Sequence, residues 1–103
     1  MFVHSVYFRL RPNVTEIERE RFVAGLRSLC DIEAVHVGHI GEPAPTDRPV
    51  IDRAYTHALI LLFADQRAHD VYQVHPVHDR FREECSPYWE SVRVFDSVSE
   101  ADG

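Results

Sequence analysis

Lysine is absent. All 11 basic residues of the 103 are arginine, so no side-chain amine is available and Schiff-base chemistry is excluded. Cysteine is scarce: Cys30 and Cys85 are far apart and form no CxxC pair. Two thiols without an export signal fit a reducing cytoplasm, with a single disulfide as the remaining alternative. Long apolar runs are missing too. The longest, Ala58 to Ala64, is about a third of a membrane span. The opening residues Met1 to Val6 carry no basic region and no extended apolar stretch, so no export signal is expected. Nor is there an excess of positive charge. The net charge is −6 and the arginines are scattered among acids, which argues against a nucleic-acid surface. Solubility is the simpler reading of that charge.

What is present is ordinary for a globular chain: 45% hydrophobic and 27% charged residues, too apolar for disorder. One domain over 1–98 is expected, with a frayed polar tail over 99–103. A chain of this size buries roughly 65% of its unfolded-state surface, enough for a modest core.

Phe2 to Leu10 alternates as a strand, with bulky groups on both faces. Thr15 and Glu18 form a capping box that starts a helix running to about Leu29. Phe22, Leu26 and Leu29 make its buried stripe, with Ile17 and Val23 beside it. A second strand covers Ala34 to Gly41. A proline-containing loop from Glu42 to Arg53 follows, long enough to be a lid or contact surface. Tyr55 to Phe63 is the most apolar strand and is expected at the sheet centre. Asp65 caps a helix to about Val74. Pro76 opens a further short helix that Ser86-Pro87 ends. Trp89 to Val98 is the last strand.

The order β-α-β-β-α-β is the α+β, ferredoxin-like split βαβ arrangement, an antiparallel sheet with helices on one face. The other face is expected to carry His4, Val6, Phe8, Leu59, Leu61, Val92 and Val94. Such an apolar face implies a partner, and the economical partner is a second copy, giving a homodimer with facing sheets.

Several segments carry a resemblance to a known family. The opening Val-His-Ser-Val-Tyr-Phe-Arg-Leu, the Tyr55-Thr56-His57 strand, the segment Tyr72-x-x-His75-Pro76-x-His78 followed by Phe81, and the closing Phe95-Asp96 resemble the stress-responsive A/B barrel (Dabb) family. The resemblance spans roughly 1–98. It implies a homodimer whose two sheets close a dimeric α+β barrel with the helices outside, and many members have no assigned activity. One plant member, olivetolic acid cyclase, is a cofactor-free enzyme that cyclises a linear polyketide. Its pattern is matched here by His4, His57, Tyr72, His75, His78, Phe81 and Trp89. By that similarity Tyr72 and His78 are the acid/base pair, and no cofactor is expected.

The chemistry supports such a pair. A neutral imidazole can accept a proton alpha to a carbonyl, and a phenol can hydrogen-bond the resulting enolate. The structural alternative is that Tyr72 packs at a helix end and His78 caps a backbone carbonyl. His4 and His57 should both point inward, where Asp96 would fix an imidazole tautomer. The alternative there is a satisfied buried network. His75, His78 and the other two histidines with Asp96 could suit zinc. The spacing across Pro76 is not a helical i, i+4 pair, so no metal is expected. His36, His39 and His69 are read as surface or strand residues without a role.

The expected ligand is a small apolar or aromatic molecule. It would lie against His4, Val6, Phe8, His57, Leu59, Leu61, His75, Phe81, Trp89, Val92, Val94 and Asp96, beside Tyr72 and His78. The alternatives are a polyketide cyclase-like aldol enzyme, a monooxygenase-like enzyme by fold analogy, and a structural stress-related protein with a packed interior. Neither nucleic acid nor membrane is an expected partner.

Overall fold

The computed structural model describes residues 1–99. Strand β1 (Phe2–Leu10) leads to helix α1 (Glu16–Cys30), then β2 (Val37–Gly41) and β3 (His57–Phe63). Helices α2 (Gln66–Gln73) and α3 (Pro76–Cys85) follow, then a short 3-10 turn (Ser86–Tyr88) and strand β4 (Trp89–Val98). The sheet order is β2-β3-β1-β4, with every neighbouring pair antiparallel. This is the ferredoxin-like α+β arrangement, with β1 and β3 at the centre.

Local signals set the element ends. Thr15 Oγ1 accepts from the Glu18 amide at 3.1 Å, and Glu18 accepts back from the Thr15 amide at 2.9 Å. That closes the capping box and satisfies two amides the helix cannot. Asp65 caps α2 through the Ala68 amide at 2.9 Å. Between α2 and α3 the chain needs only Val74 and His75 to turn, because Pro76 fixes the φ of the next helix. Strand β2 begins three residues later than expected, since Ile32 and Val35 close a turn (2.9 Å) after α1. The Ser99 amide bonds the Met1 carbonyl at 2.9 Å; the remainder of the expected tail lies outside the described residues.

One expectation about the sheet is overturned. His4, Val6, Phe8, Leu59 and Leu61 do not form the helix-free face. They are buried under the helices with Phe22, Leu26, Leu29, Tyr72 and Phe81. Alternation fixes which residues share a face but not which face the helices cover. The helices take the bulkier set, since that buries more apolar area. The open face carries the other set, including Ser5, Tyr7, Arg9, Arg93 and Phe95. Val92 and Val94 pair with Phe8 and Val6 and so share the helix-side face. They sit on an edge strand that the helices do not fully roof, which leaves them 42% and 50% exposed. Ile17 is also displaced from its expected place, lying 61% exposed rather than beside the stripe.

The segment between β2 and β3 lies over the open face. Tyr55 packs edge-on against Tyr7 with centroids 4.9 Å apart, and Asp52 approaches Arg93 at 3.9 Å. Among the described residues, no helix is long and apolar enough to cross a membrane. Cys30 and Cys85 are not bonded to each other; Cys30 is partly buried and Cys85 buried.

Candidate functional site

The gap beside β4 opens into a cavity of about 220 Å³ between the sheet and the helices. Strands β1 and β3 supply its floor with His4, Val6, Phe8 and Leu59. Trp89, Val92 and Val94 of β4 form one wall; Tyr72, His78 and Phe81 form the roof, with Leu29 behind. Gln73 and the exposed Arg82 complete the lining. Of the residues named from sequence, ten therefore share one cavity. Leu61 is core beneath it, fully buried.

Tyr72 and His78 meet because α2 ends and α3 begins between them. Their rings are 5.0 Å apart and nearly perpendicular. Burial pushes the Tyr72 phenol well above its ordinary range, so at neutral pH it stays a proton donor. Burial also lowers the His78 pKa, with the Arg82 guanidinium adding to the effect. His78 is therefore a neutral imidazole near pH 7. Its Nδ1 is buried, and no donor or acceptor among the described residues meets it. It does not cap a carbonyl. An unpaired buried polar atom costs about 1–3 kcal/mol, a cost that a water or a ligand in the cavity would offset.

His75 plays a different part. Its Nδ1 accepts from the Val77 amide at 3.1 Å, capping α3. The HPxH motif thus divides into a cap and a cavity residue. His57 is buried but lies outside the cavity lining, its Nδ1 3.0 Å from Thr56 Oγ1 and its ring 5.2 Å from Phe22. Burial lowers its pKa.

His4 does meet Asp96, at 2.6 Å between Nδ1 and Oδ1. Burial lowers the His4 pKa despite the opposing pull of that carboxylate. The contact is therefore a hydrogen bond from a neutral imidazole to a carboxylate rather than an ion pair. A carboxylate only accepts, so Nδ1 carries the proton and Nε2 is the free base. His69 is not a surface residue as expected. It is buried, stacked on Phe2 at 4.3 Å and 5.1 Å from the His4 ring. Its helix is only eight residues long, too short for periodicity to mark an inward face.

A larger hollow of about 370 Å³ lies on the open face around Tyr7, Tyr55, Arg93 and Phe95. It contains no histidine, and its arginines are engaged: Arg9 with Glu90 at 3.2 Å, Arg93 with Asp52 and over the Phe95 ring at 5.0 Å. It is the larger of the two, whereas the buried His4 and the unpaired His78 nitrogen belong to the smaller cavity.

Residues 2–99 match the sequence model of the Stress responsive A/B Barrel Domain. The chain belongs to the Dabb family. No curated protein sequence matches significantly. Among solved structures, a Dabb family protein with a ferredoxin-like fold from Mesorhizobium loti is 28% identical, covering 97% of each chain at a TM-score of 0.78. A dimeric ferredoxin-like protein of unknown function from Thermobifida fusca is 19% identical, covering 95% of this chain and 90% of its own, with a TM-score of 0.76. A hydroxynitrile lyase from Passiflora edulis is 19% identical, covering 97% of this chain and 94% of its own at 0.78. At those last two identities the likeness is one of fold.

Proposed function

We propose that this Dabb domain is a cytoplasmic homodimer that binds a small, largely apolar carbonyl compound in the cavity between sheet and helices, where His78 and Tyr72 act as base and acid. The observation that carries this reading is the buried, unpaired Nδ1 of His78 in a cavity that also holds the Tyr72 ring. A cavity of about 220 Å³ is below the usual range of about 300–1,000 Å³ for drug-sized ligands, so the ligand is small. Its walls are mostly aliphatic and aromatic, which selects an apolar body.

In this reading neutral His78 removes a proton alpha to the carbonyl, while Tyr72 donates a hydrogen bond to the enolate oxygen. The enolate carbon attacks a second carbonyl of the same molecule, and the imidazolium returns its proton to the new alkoxide. The step needs a shaped pocket and no redox partner. Fold neighbours that include a hydroxynitrile lyase are consistent with lyase-type proton chemistry here. A purely packed interior is disfavoured by the cavity. A monooxygenase-like role rests on fold analogy alone.

The homodimer is supported by the description of fold neighbours as dimeric and by Phe95 standing 51% exposed on the open face. The free thiols and the acidic charge fit a reducing compartment and no nucleic-acid partner.

The test is a titration with a panel of aromatic aldehydes and ketones followed at the indole signal of Trp89, the single tryptophan. Binding should shift that signal, and His78→Ala and Tyr72→Phe should weaken the binding of carbonyl compounds more than that of their hydrocarbon analogues. Equal weakening of both would remove the acid/base reading.

A further inference from the structure

His4 on β1, His69 on α2 and Asp96 on β4 are distant in sequence and converge around His4, which also lines the cavity. One donor atom from each lies within 4.8 Å of the others. The cluster brings two buried imidazoles together with the carboxylate of a half-exposed aspartate.

We propose that His4, His69 and Asp96 form a binding site for one divalent transition-metal ion, zinc in the first instance. Two imidazoles and one carboxylate are the donor set of borderline divalent ions, and they disfavour magnesium and calcium, which take oxygen donors. Bonds of about 2.0–2.2 Å to zinc put tetrahedral donors about 3.3 Å apart. His4 Nδ1 and Asp96 Oδ1 stand 2.6 Å apart as a hydrogen-bonded pair, closer than two zinc donors. Zinc at Nδ1 therefore displaces the Nδ1 proton, and the Asp96 side chain, 40% exposed on an edge strand, swings outward to the zinc distance. Both imidazoles are held in place: His69 by its stack on Phe2 and His4 within the floor of the cavity. Asp70 and Gln73 lie 3.2 Å and 3.0 Å from the two nitrogens of His69. The nitrogen that binds zinc gives up its own partner, while the other keeps an outer one, as ligating histidines normally do. Three protein donors with an exposed carboxylate leave a fourth position for water or a ligand atom, the arrangement of an open site. Because His4 lines the cavity, that position adjoins it. The site does not depend on turnover at Tyr72 and His78.

The experiment uses the tag-free full-length protein, stripped of metal and titrated with cobalt(II), then zinc in competition. One equivalent of cobalt should bind per chain with the visible bands of a low-coordinate site. Zinc should displace it with an affinity in the micromolar range or tighter. His69→Gln and Asp96→Asn should each weaken zinc at least about tenfold, and His36→Ala/His39→Ala should leave it unchanged. Asp96→Asn is nearly isosteric at an exposed position, so it reports even if His69→Gln fails to fold. Absence of stoichiometric binding, unchanged affinity in Asp96→Asn, or loss of binding in the His36/His39 variant would each overturn the proposal.

Discussion

His78 combines three properties: a buried unpaired nitrogen, a lowered pKa and a place in the cavity. Together they make a stability prediction opposite to the usual one for a half-buried residue. His78→Leu removes an unpaired polar atom and keeps the apolar contacts. Its unfolding free energy, from urea denaturation, should be unchanged or higher by up to about 1–3 kcal/mol, while binding of carbonyl compounds falls. A loss of stability of similar size would mean that His78 is a structural residue with a partner. Tyr72, His78 and the pairing of His4 with Asp96 were legible in the sequence, because motif and strand register place them. His69 was not: from an eight-residue helix no stripe can be read, and only the Phe2 ring beneath it shows that it turns inward.

Between elements, the contact of β2 with α1 is the most tightly constrained. A Cβ added at Gly38 would stand 2.6 Å from the Cys30 sulfur and 2.9 Å from its Cβ. Gly38→Ala should therefore destabilise by about 1–3 kcal/mol through overpacking. Adding Cys30→Ala should recover part of that loss, since it removes the sulfur but leaves the Cβ. Strict additivity in this double-mutant cycle would show that the two sites do not touch. Nothing in the sequence named the Cys30 thiol as the neighbour of this glycine. The element order and the capping box at Thr15 were legible, because both are local signals. The choice of covered face was not. Phe2, Val6, Phe8 and Leu10 compete with Val3, Tyr7 and the rest for the helices, and the outcome depends on area summed over three strands rather than on any one of them.

At the scale of the whole molecule, the open face holds Tyr7, Tyr55, Arg93 and Phe95, a mixed aromatic and charged surface in place of the apolar wall first expected there. A homodimer through this face should run as about twice the 11.9 kDa chain mass in light scattering. Phe95→Glu should shift it to monomer, because it sets a charge on a 51% exposed aromatic at the proposed contact. A wild-type monomer at micromolar concentration would remove the facing-sheet assembly. The cavity lies on the opposite side of the sheet, so a monomeric variant should retain ligand binding.

The most direct test of the account is whether aromatic aldehydes and ketones enter the cavity beside β4. Val94 is 50% exposed at its edge, so Val94→Phe can plug the opening without disturbing the buried core or adding a second indole. The account predicts that these compounds shift the Trp89 indole of the wild type, that the plug abolishes the effect, and that the plugged protein melts as the parent does. Binding that survives the plug, or none at millimolar ligand in the wild type, would contradict it.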